Sequence, residues 1–210
     1  MYIEREPVCA KIAFGYWVCY MLGLAAMGLL SQHGMPSSPV YLLLFCAGAG
    51  IVLYREKIRK GMQTLGFSGK NLKIDLPAAL VLILGACICA VITGVIPIGQ
   101  LPARALHYLF YIAAVEEILF RGFLQNYLFG LRINRIGIYV IGALLFSLMH
   151  LPFQVIRAGV SLPYYLMEAG GLSNLLFTFG FHLVMTFIAR YRKNLCIPVA
   201  LHFLTDFFFA

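Results

Sequence analysis

The chain has 210 residues, of which 62% are hydrophobic and only 11% charged, and its mean hydropathy is +0.89. Soluble globular domains carry about 25% charged residues, so this chain cannot cover its own surface with polar groups and is not a soluble domain. The formal net charge of +8 would point to nucleic acid in a soluble protein. In a membrane protein, basic residues in short loops set the orientation instead, and we expect no nucleic-acid partner.

Apolar runs predict about seven membrane-spanning helices, because a run of about 17–25 apolar residues is long enough to cross a bilayer. Glycine and proline interrupt the sequence between most of the runs. The expected fold is therefore an all-α, polytopic transmembrane helix bundle with its active site inside the bundle. The runs cover residues 12–31, 38–54, 76–96, 106–129, 136–151, 172–189 and 195–209.

Basic residues are distributed unequally between the two faces that these runs define. If the N-terminus is cytoplasmic, only Arg104 and Arg157 fall outside, which is a strong positive-inside asymmetry. We therefore expect a multi-pass protein of the cell membrane with a cytoplasmic N-terminus and an external C-terminus. The basic residues on the inner face are Arg5, Lys11, Arg55, Lys57, Arg59, Lys60, Lys70, Lys73, Arg132, Arg135, Arg190, Arg192 and Lys193.

The six cysteines form no CxxC pair, and most of them lie inside apolar runs. They are expected to be buried free thiols rather than disulfides or metal ligands. They are Cys9, Cys19, Cys46, Cys87, Cys89 and Cys196.

Three carboxylates lie inside apolar runs: Glu116, Glu117 and Asp206. An ionised group at the centre of a bilayer costs about 2.5–3.5 kcal/mol on insertion scales, so each such group is a functional candidate. Glu117 and Arg121 are four residues apart with the acid first, which favours an ion pair on one helix face. Glu116 points about 100° away from that face. It is left without a partner in its own helix and is therefore available for chemistry.

Two other apolar runs offer polar groups that could face Glu116. Phe146 and His150 share a face of the fifth run, and His202 and Asp206 are one turn apart in the last run. A helix bundle can bring such side chains together although no single helix can. A desolvated carboxylate near imidazoles is a plausible general base for a water molecule.

Structural interpretations remain open for several of these residues. A single buried histidine is more often a hydrogen-bonded contact between helices, which we expect for His107 and His182. His33 is expected in a loop, and Asp206 could cap or pair with a neighbouring helix. A further pair, Glu168 and Arg157, is expected on a solvated surface of the long external loop.

The three motifs Glu116-Glu117-x-x-x-Arg121, Phe146-x-x-x-His150 and His202-x-x-x-Asp206 together resemble those of a known family. It is the CAAX prenyl protease type II family of intramembrane proteases, also called CPBP or Abi, which includes bacteriocin-processing and bacteriocin-immunity proteins. The resemblance covers residues 104–209. It implies a CPBP/Abi-like catalytic core there. Residues 1–103 carry no motif of this kind, and we expect them to form N-terminal transmembrane helices for packing and substrate selection.

The resemblance also implies roles for individual residues. Glu116 and His150 would position and activate the attacking water, while His202 and Asp206 would stabilise the oxyanion of the tetrahedral intermediate. Glu117, Arg121 and Phe146 would support them. The family often has Asn where this chain has Asp206, and an ionised carboxylate would repel an oxyanion.

The same residues could instead bind a metal ion. Imidazole and carboxylate both suit zinc, so Glu116, His150, His202 and Asp206 are its candidate ligands. The helix-borne HExxH pattern of zinc proteases is absent from the sequence. The sequence favours metal-free activation of water but leaves zinc open.

The expected function is an intramembrane endopeptidase that cleaves a membrane-associated, prenylated or exported peptide or protein precursor. The first alternative is a non-catalytic immunity or scaffold protein of the same fold, which would use these residues to bind a partner. The second is a proton-coupled transporter, since buried Glu and His also build proton relays. The sequence lacks the internal repeats and matched broken helices that are typical of transporters.

Overall fold

The computed structural model describes residues 3–67, 69 and 71–209. Every regular element in this part of the chain is helical, which confirms the all-α membrane bundle. Lys70, one of the basic residues assigned to the cytoplasmic face, lies outside the described residues. The α-helices are α1 (Pro7–Gln32), α2 (Ser38–Thr64), α3 (Leu72–Ile92), α4 (Leu101–Leu106), α5 (Ala114–Glu116), α6 (Gln125–Leu128), α7 (Arg135–Ala158), α8 (Leu162–Met167), α9 (Gly171–Arg192) and α10 (Cys196–Phe209).

Five of these helices are long and apolar enough to cross a membrane, namely α1, α2, α3, α7 and α9. Each of the five overlaps one of the predicted runs. The last predicted run forms α10, which is apolar but has only 14 residues. At 1.5 Å per residue it is about 21 Å long, shorter than the hydrocarbon core of about 30 Å.

The remaining predicted run, 106–129, lies in a helical segment that is not a uniform α-helix. Between α4 and α6 the chain makes two stretches of π-helix, His107–Ala113 and Glu117–Leu124, separated by α5. We call residues 101–128 the fourth helical segment. A π-helix bonds residue i to i+5 rather than i+4, and such turns are frequent at functional sites. Glu116 is the last residue of α5, directly between the two π stretches.

The helix α7 has sharply defined ends. At its start the Asn134 side chain accepts a hydrogen bond of 2.7 Å from the backbone N–H of Gly137, which satisfies one of the free donors of the first turn. At its end Gly159 adopts a left-handed conformation with φ of 65°, which a glycine accepts without steric cost. These two capping interactions define where the helix that carries His150 begins and ends.

The helices pack around an aromatic core. Rings from α1 meet rings from the fourth helical segment edge-on, as in Tyr20 against Phe120 at 5.4 Å. The end of α2 comes very close to the same segment, because a Cβ atom placed on Gly122 would lie 2.8 Å from the carbonyl oxygen of Leu65. A glycine at position 122 therefore permits this approach. Large apolar side chains such as Leu43 remain exposed on the outside of the bundle, where a lipid bilayer would cover them.

The basic residues gather at one end of the bundle. There, Arg5 of the N-terminal segment hydrogen-bonds Glu56 of α2, and Arg192 of α9 hydrogen-bonds Asp75 of α3. We call this end the basic end. The opposite, distal end contains the loop between α1 and α2, the start of the fourth helical segment and the ends of α7 and α10. Tyr111 reaches the backbone carbonyl oxygen of Ser38 at this distal end, at 3.3 Å.

Two expectations about individual side chains are wrong. All six cysteines are free, but Cys19, Cys46 and Cys89 are exposed rather than buried, because an apolar helix in a membrane can turn a thiol toward lipid as well as inward. His107 is also exposed. Its ring stacks on Tyr111 at a centroid distance of 5.2 Å, so it is a surface ring contact and not a buried contact between helices.

Candidate active site

Glu116 lies at the inner wall of a cavity. Its side chain is 14% exposed, and Tyr41 of α2 places its hydroxyl 3.5 Å from Oε1 of this carboxylate. Tyr41 belongs to the N-terminal helices, where no sequence motif marks it. Glu116 thus takes its partners from other helices, as its position on the helix face predicts.

Glu117 and Arg121 form the ion pair that their spacing predicts. Nη1 of Arg121 lies 2.9 Å from Oε1 of Glu117, and both side chains are fully buried. The same oxygen of Glu117 also lies 2.8 Å from Nδ1 of His202. This second contact joins residues 85 positions apart in the chain, so helix spacing could not reveal it. Glu117 therefore holds a histidine of α10 as well as an arginine of its own segment.

His202 is buried, with its two ring nitrogens facing different carboxylates. Nδ1 faces Glu117, and an N–H at this position donates to the carboxylate because an ionised carboxylate only accepts. Nε2 lies 3.4 Å from Oδ2 of Asp206 and 3.8 Å from Oε2 of Glu116. Asp206 is one turn further along α10, so the predicted His202–Asp206 pairing on one helix face is present.

His150 lies in α7 on the cavity wall. Its Nδ1 is 3.0 Å from the backbone carbonyl oxygen of Phe146. A carbonyl can only accept, so Nδ1 carries the proton and Nε2 of the neutral ring keeps its lone pair. Phe146 packs its ring edge-on to His150 at 5.1 Å and lies under the guanidinium of Arg121 at 4.2 Å. The ring thus connects the buried ion pair to His150.

Two cavities meet at these residues. The larger has a volume of about 740 Å³ and is lined by all four predicted catalytic residues, Glu116, His150, His202 and Asp206. The smaller has a volume of about 440 Å³ and is lined by Glu116, by His150 and by tyrosines that include Tyr41. Six residues line both cavities: Ile112, Glu116, His150, Phe153, Gln154 and Arg157.

The other histidines stay outside this cluster. His182 is buried, and its Nε2 lies 3.1 Å from Oε1 of Gln125, which is the expected contact between helices. His33 is exposed in the turn after α1, also as expected. Glu168 and Arg157 are exposed, as predicted. The expected loop position is wrong for Arg157, because α7 continues to Ala158, and Arg157 also lines both cavities.

The cluster does not have the geometry of a metal site. Among the described residues, no three His, Cys, Asp or Glu side chains converge as a group that could hold a metal ion. Nδ1 of His202 pairs with Glu117, and Asp206 lies 3.4 Å from Nε2 of the same ring. The arrangement is that of a carboxylate–imidazole cluster.

Comparison with known proteins identifies the family of this chain. The model of the Rce1-like type II CAAX prenyl endopeptidase family matches residues 78–208. This range includes the fourth helical segment, α7 and all but the last residue of α10, and so every residue of the predicted motifs. No curated protein and no solved structure gives a significant match. The family match covers more than half of the sequence and agrees with the motif series, and the chain therefore belongs to the Rce1-like type II CAAX prenyl endopeptidase family.

Proposed function

We propose that this protein is an intramembrane endopeptidase that hydrolyses a peptide bond in a membrane-associated peptide or protein precursor. The observation that carries the proposal is the shared cavity, which Glu116 and His150 line together with His202 and Asp206. A cavity of about 740 Å³ has room for several residues of a peptide and for water. Hydrolysis requires such a space because the hydrocarbon core of a bilayer holds no water.

In the proposed reaction, Glu116 and the lone pair on Nε2 of His150 activate a water molecule. One of them takes a proton from the water as its oxygen attacks the carbonyl carbon of the peptide bond. The resulting tetrahedral intermediate carries a negative oxygen. When it collapses, the C–N bond breaks, the stored proton passes to the leaving amine, and a new carboxylate remains on the other product.

His202 is the proposed donor to the negative oxygen. Glu117 accepts from Nδ1 at 2.8 Å and so fixes the orientation of the ring. When the ring is the doubly protonated imidazolium, Nε2 also carries a proton, which can donate to the oxyanion and stabilise its negative charge in a water-poor site. Asp206 lies on the same side at 3.4 Å from Nε2. We assign it the role of holding this ring, because an ionised Asp206 facing the oxyanion itself would be unfavourable.

The N-terminal helices are proposed to complete the site rather than to form a separate catalytic unit. Residues 104–209 carry the motif residues, whereas residues 1–103 contribute packing and the wall of the smaller cavity. Tyr41 is the main support for this proposal, because its hydroxyl lies 3.5 Å from Oε1 of Glu116. The same wall would take part in substrate selection.

The orientation of the bundle bears on the substrate. Basic residues collect at the basic end, and the positive-inside rule assigns such an end to the cytoplasm. His150 and Asp206 lie in the distal halves of α7 and α10. We therefore propose a cell-membrane location with a cytoplasmic N-terminus, and a site reached from the opposite face or from within the bilayer. An exported or membrane-embedded peptide fits this geometry better than a prenylated cytosolic tail.

Peptidase activity in liposomes tests the proposed function. The assay uses quenched apolar peptides, both plain and prenylated on a cysteine, with wild type beside Glu116→Gln and His150→Ala. Loss of a general base typically reduces a rate by about 10²–10⁴-fold, which is the loss we expect for Glu116→Gln. Wild type is also assayed with a chelator, whose effect decides whether zinc takes part.

The matched control is Glu168→Gln, which removes an exposed carboxylate by the same isosteric change. It should cleave like wild type. Equal activity of Glu116→Gln and Glu168→Gln would contradict the assignment of Glu116. Retained biological function of Glu116→Gln in cells would instead favour the non-catalytic immunity or scaffold alternative.

A further inference from the structure

A groove lies between α7 and α9 near the basic end of the bundle. It has a volume of about 280 Å³, and its walls come from residues 136–140 of α7 and 183–190 of α9. We call it the α7–α9 groove. It shares no lining residue with the two cavities of the candidate active site, and both of its helices are long and apolar enough to cross a membrane. The proposed function does not use this groove.

The walls of the α7–α9 groove are mostly apolar, and several of them face outward. Ile136 is 76% exposed and Phe187 is 70% exposed. In a membrane-spanning bundle, acyl chains cover such a surface. The volume lies just below the range of about 300–1,000 Å³ that is typical of sites for whole small molecules. The groove therefore suits part of a lipid molecule whose remainder lies in the bilayer.

Arg190 gives the groove a positive charge. It is exposed, and its guanidinium lies 5.6 Å from the ring centroid of Tyr139 on the opposite wall, where a cation–π interaction can orient it. In the part of the chain that the structure describes, no carboxylate lies within ion-pairing distance of this guanidinium. Its planar fork of N–H donors matches the oxygens of a phosphate group. The position therefore suits a phosphate-bearing ligand.

Thr186 supplies a second polar group, and this one is buried. The residue is only 1% exposed, it lines the groove, and its hydroxyl has no hydrogen-bond partner among the described residues. A buried hydroxyl without a partner costs free energy. A ligand that places an acceptor oxygen in the groove would remove this cost by accepting from Thr186.

The two polar groups are arranged at different depths. Thr186 and Arg190 are four residues apart in α9, so they lie on one helix face about 6 Å apart along the axis. Arg190 is the nearer of the two to the basic end. A glycerophospholipid has a similar order of groups, because its ester carbonyls lie below the phosphodiester by the length of the glycerol unit. Its acyl chains continue from the esters into apolar surroundings, as the groove walls require.

We propose that the α7–α9 groove binds an anionic glycerophospholipid. Arg190 binds the phosphodiester, the Thr186 hydroxyl donates to an ester carbonyl, and the first part of one acyl chain lies along the apolar walls. Basic pockets between membrane-spanning helices are known to bind anionic lipid headgroups. The bound lipid would contact both α7 and α9, and so would bridge the helix that carries His150 and its neighbour.

Native mass spectrometry of the full-length protein in detergent tests the proposal without any need for catalysis. Phosphatidylglycerol and phosphatidylcholine with identical acyl chains are titrated separately. Phosphatidylglycerol should bind about 10-fold more tightly, since the choline group of the other lipid carries a cation close to Arg190. Inorganic phosphate is the third probe. It has the anionic oxygens but no ester or acyl chain, and equimolar phosphate should not displace the lipid.

Two substitutions separate the contributions of the headgroup and the ester. Arg190→Gln should weaken phosphatidylglycerol binding about 10-fold and abolish the preference over phosphatidylcholine, because it removes a charge-assisted contact. Thr186→Val should weaken binding of both lipids by about 2- to 12-fold and leave the preference intact, because it removes one ordinary hydrogen bond. Thr186→Ser keeps a hydroxyl and should bind more tightly than Thr186→Val.

Arg132→Gln is the matched control for charge. Arg132 is also an exposed arginine near the basic end, but it does not line the groove, so its replacement should leave both affinities unchanged. Thermal unfolding of each variant verifies that it is folded. An equal loss of binding in Arg132→Gln and Arg190→Gln would show a general attraction to positive charge and overturn the proposal. Displacement of the lipid by equimolar phosphate, or unchanged affinities in Arg190→Gln and Thr186→Val, would overturn it as well.

Discussion

Nδ1 of His202 lies 2.8 Å from Oε1 of Glu117, and Arg121 contacts the same oxygen at 2.9 Å. One carboxylate oxygen therefore serves both the buried cation of its own segment and the histidine of α10. Stability and the geometry of the proposed catalytic centre depend on the same group. The consequence is that Glu117 cannot be replaced without affecting both.

Glu117→Gln should strongly destabilise the protein. It removes the negative charge beside Arg121, whose side chain is 0% exposed, and breaking a buried ion pair typically costs about 3–5 kcal/mol. Thermal unfolding in detergent measures the effect. Glu116→Gln is the neighbouring control and should unfold much closer to wild type, because Glu116 is partly exposed at the cavity. Equal melting of the two variants would contradict the structural role of Glu117.

Tyr41→Phe should slow cleavage while leaving the fold intact. The change removes only the hydroxyl that lies 3.5 Å from Glu116. A typical hydrogen bond contributes about 0.5–1.5 kcal/mol, which corresponds to a rate loss of about 2- to 12-fold. The comparison variant is Tyr111→Phe, since the Tyr111 ring lies 5.4 Å from that of Tyr41 but its hydroxyl bonds to Ser38. An identical rate of cleavage by Tyr41→Phe and wild type would contradict the assignment of Tyr41 to the site.

Asp206→Asn should retain at least wild-type activity. An amide at this position keeps a hydrogen-bonding group 3.4 Å from His202, and it does not repel a negative oxygen. Asp206→Ala should lose activity because the ring of His202 then lacks this neighbour. Steady-state kinetics of the two variants test the assignment. If Asp206→Asn is as inactive as Glu116→Gln, the charge of Asp206 is itself required.

Gly122→Ala should destabilise the bundle. The added Cβ would lie 2.8 Å from the backbone carbonyl oxygen of Leu65, and overpacking a well-packed contact typically costs about 1–3 kcal/mol. Gly85→Ala is the matched control in α3, because no heavy atom lies within 4 Å of its added Cβ. It should be neutral or stabilising, since Ala favours a helix over Gly. Thermal unfolding distinguishes the two, and equal melting temperatures would contradict the close approach.

The sequence predicted the helical membrane bundle because hydropathy and helix spacing are local properties. Each of the seven apolar runs overlaps a helical segment, and the i, i+4 pair of Glu117 and Arg121 is present. The interruption of the fourth helical segment by π-helix was not predictable, since it depends on packing against other helices. The 14-residue length of α10 likewise became visible only in the structure.

Contacts between distant parts of the chain also could not be predicted from the sequence. The contact of Tyr41 with Glu116 joins residues 75 positions apart, and nothing in the local pattern links them. Arg157 was expected on a solvated surface, and it is exposed, but its place on two cavity walls depends on how α7 packs. The catalytic roles of Glu116, His150, His202 and Asp206 stay predictions, supported by their common cavity.

The π-helical turns beside Glu116 make this region sensitive to chain length. A π turn holds one more residue between bonded partners than an α turn. Deleting a single residue from Glu117–Leu124 could restore regular α-helical bonding, yet it would rotate Glu116 by about 100° relative to α6. Evolution can therefore exchange side chains here more easily than it can insert or delete residues. Related chains that share the proposed activity should differ in this stretch by substitution and hold its length constant.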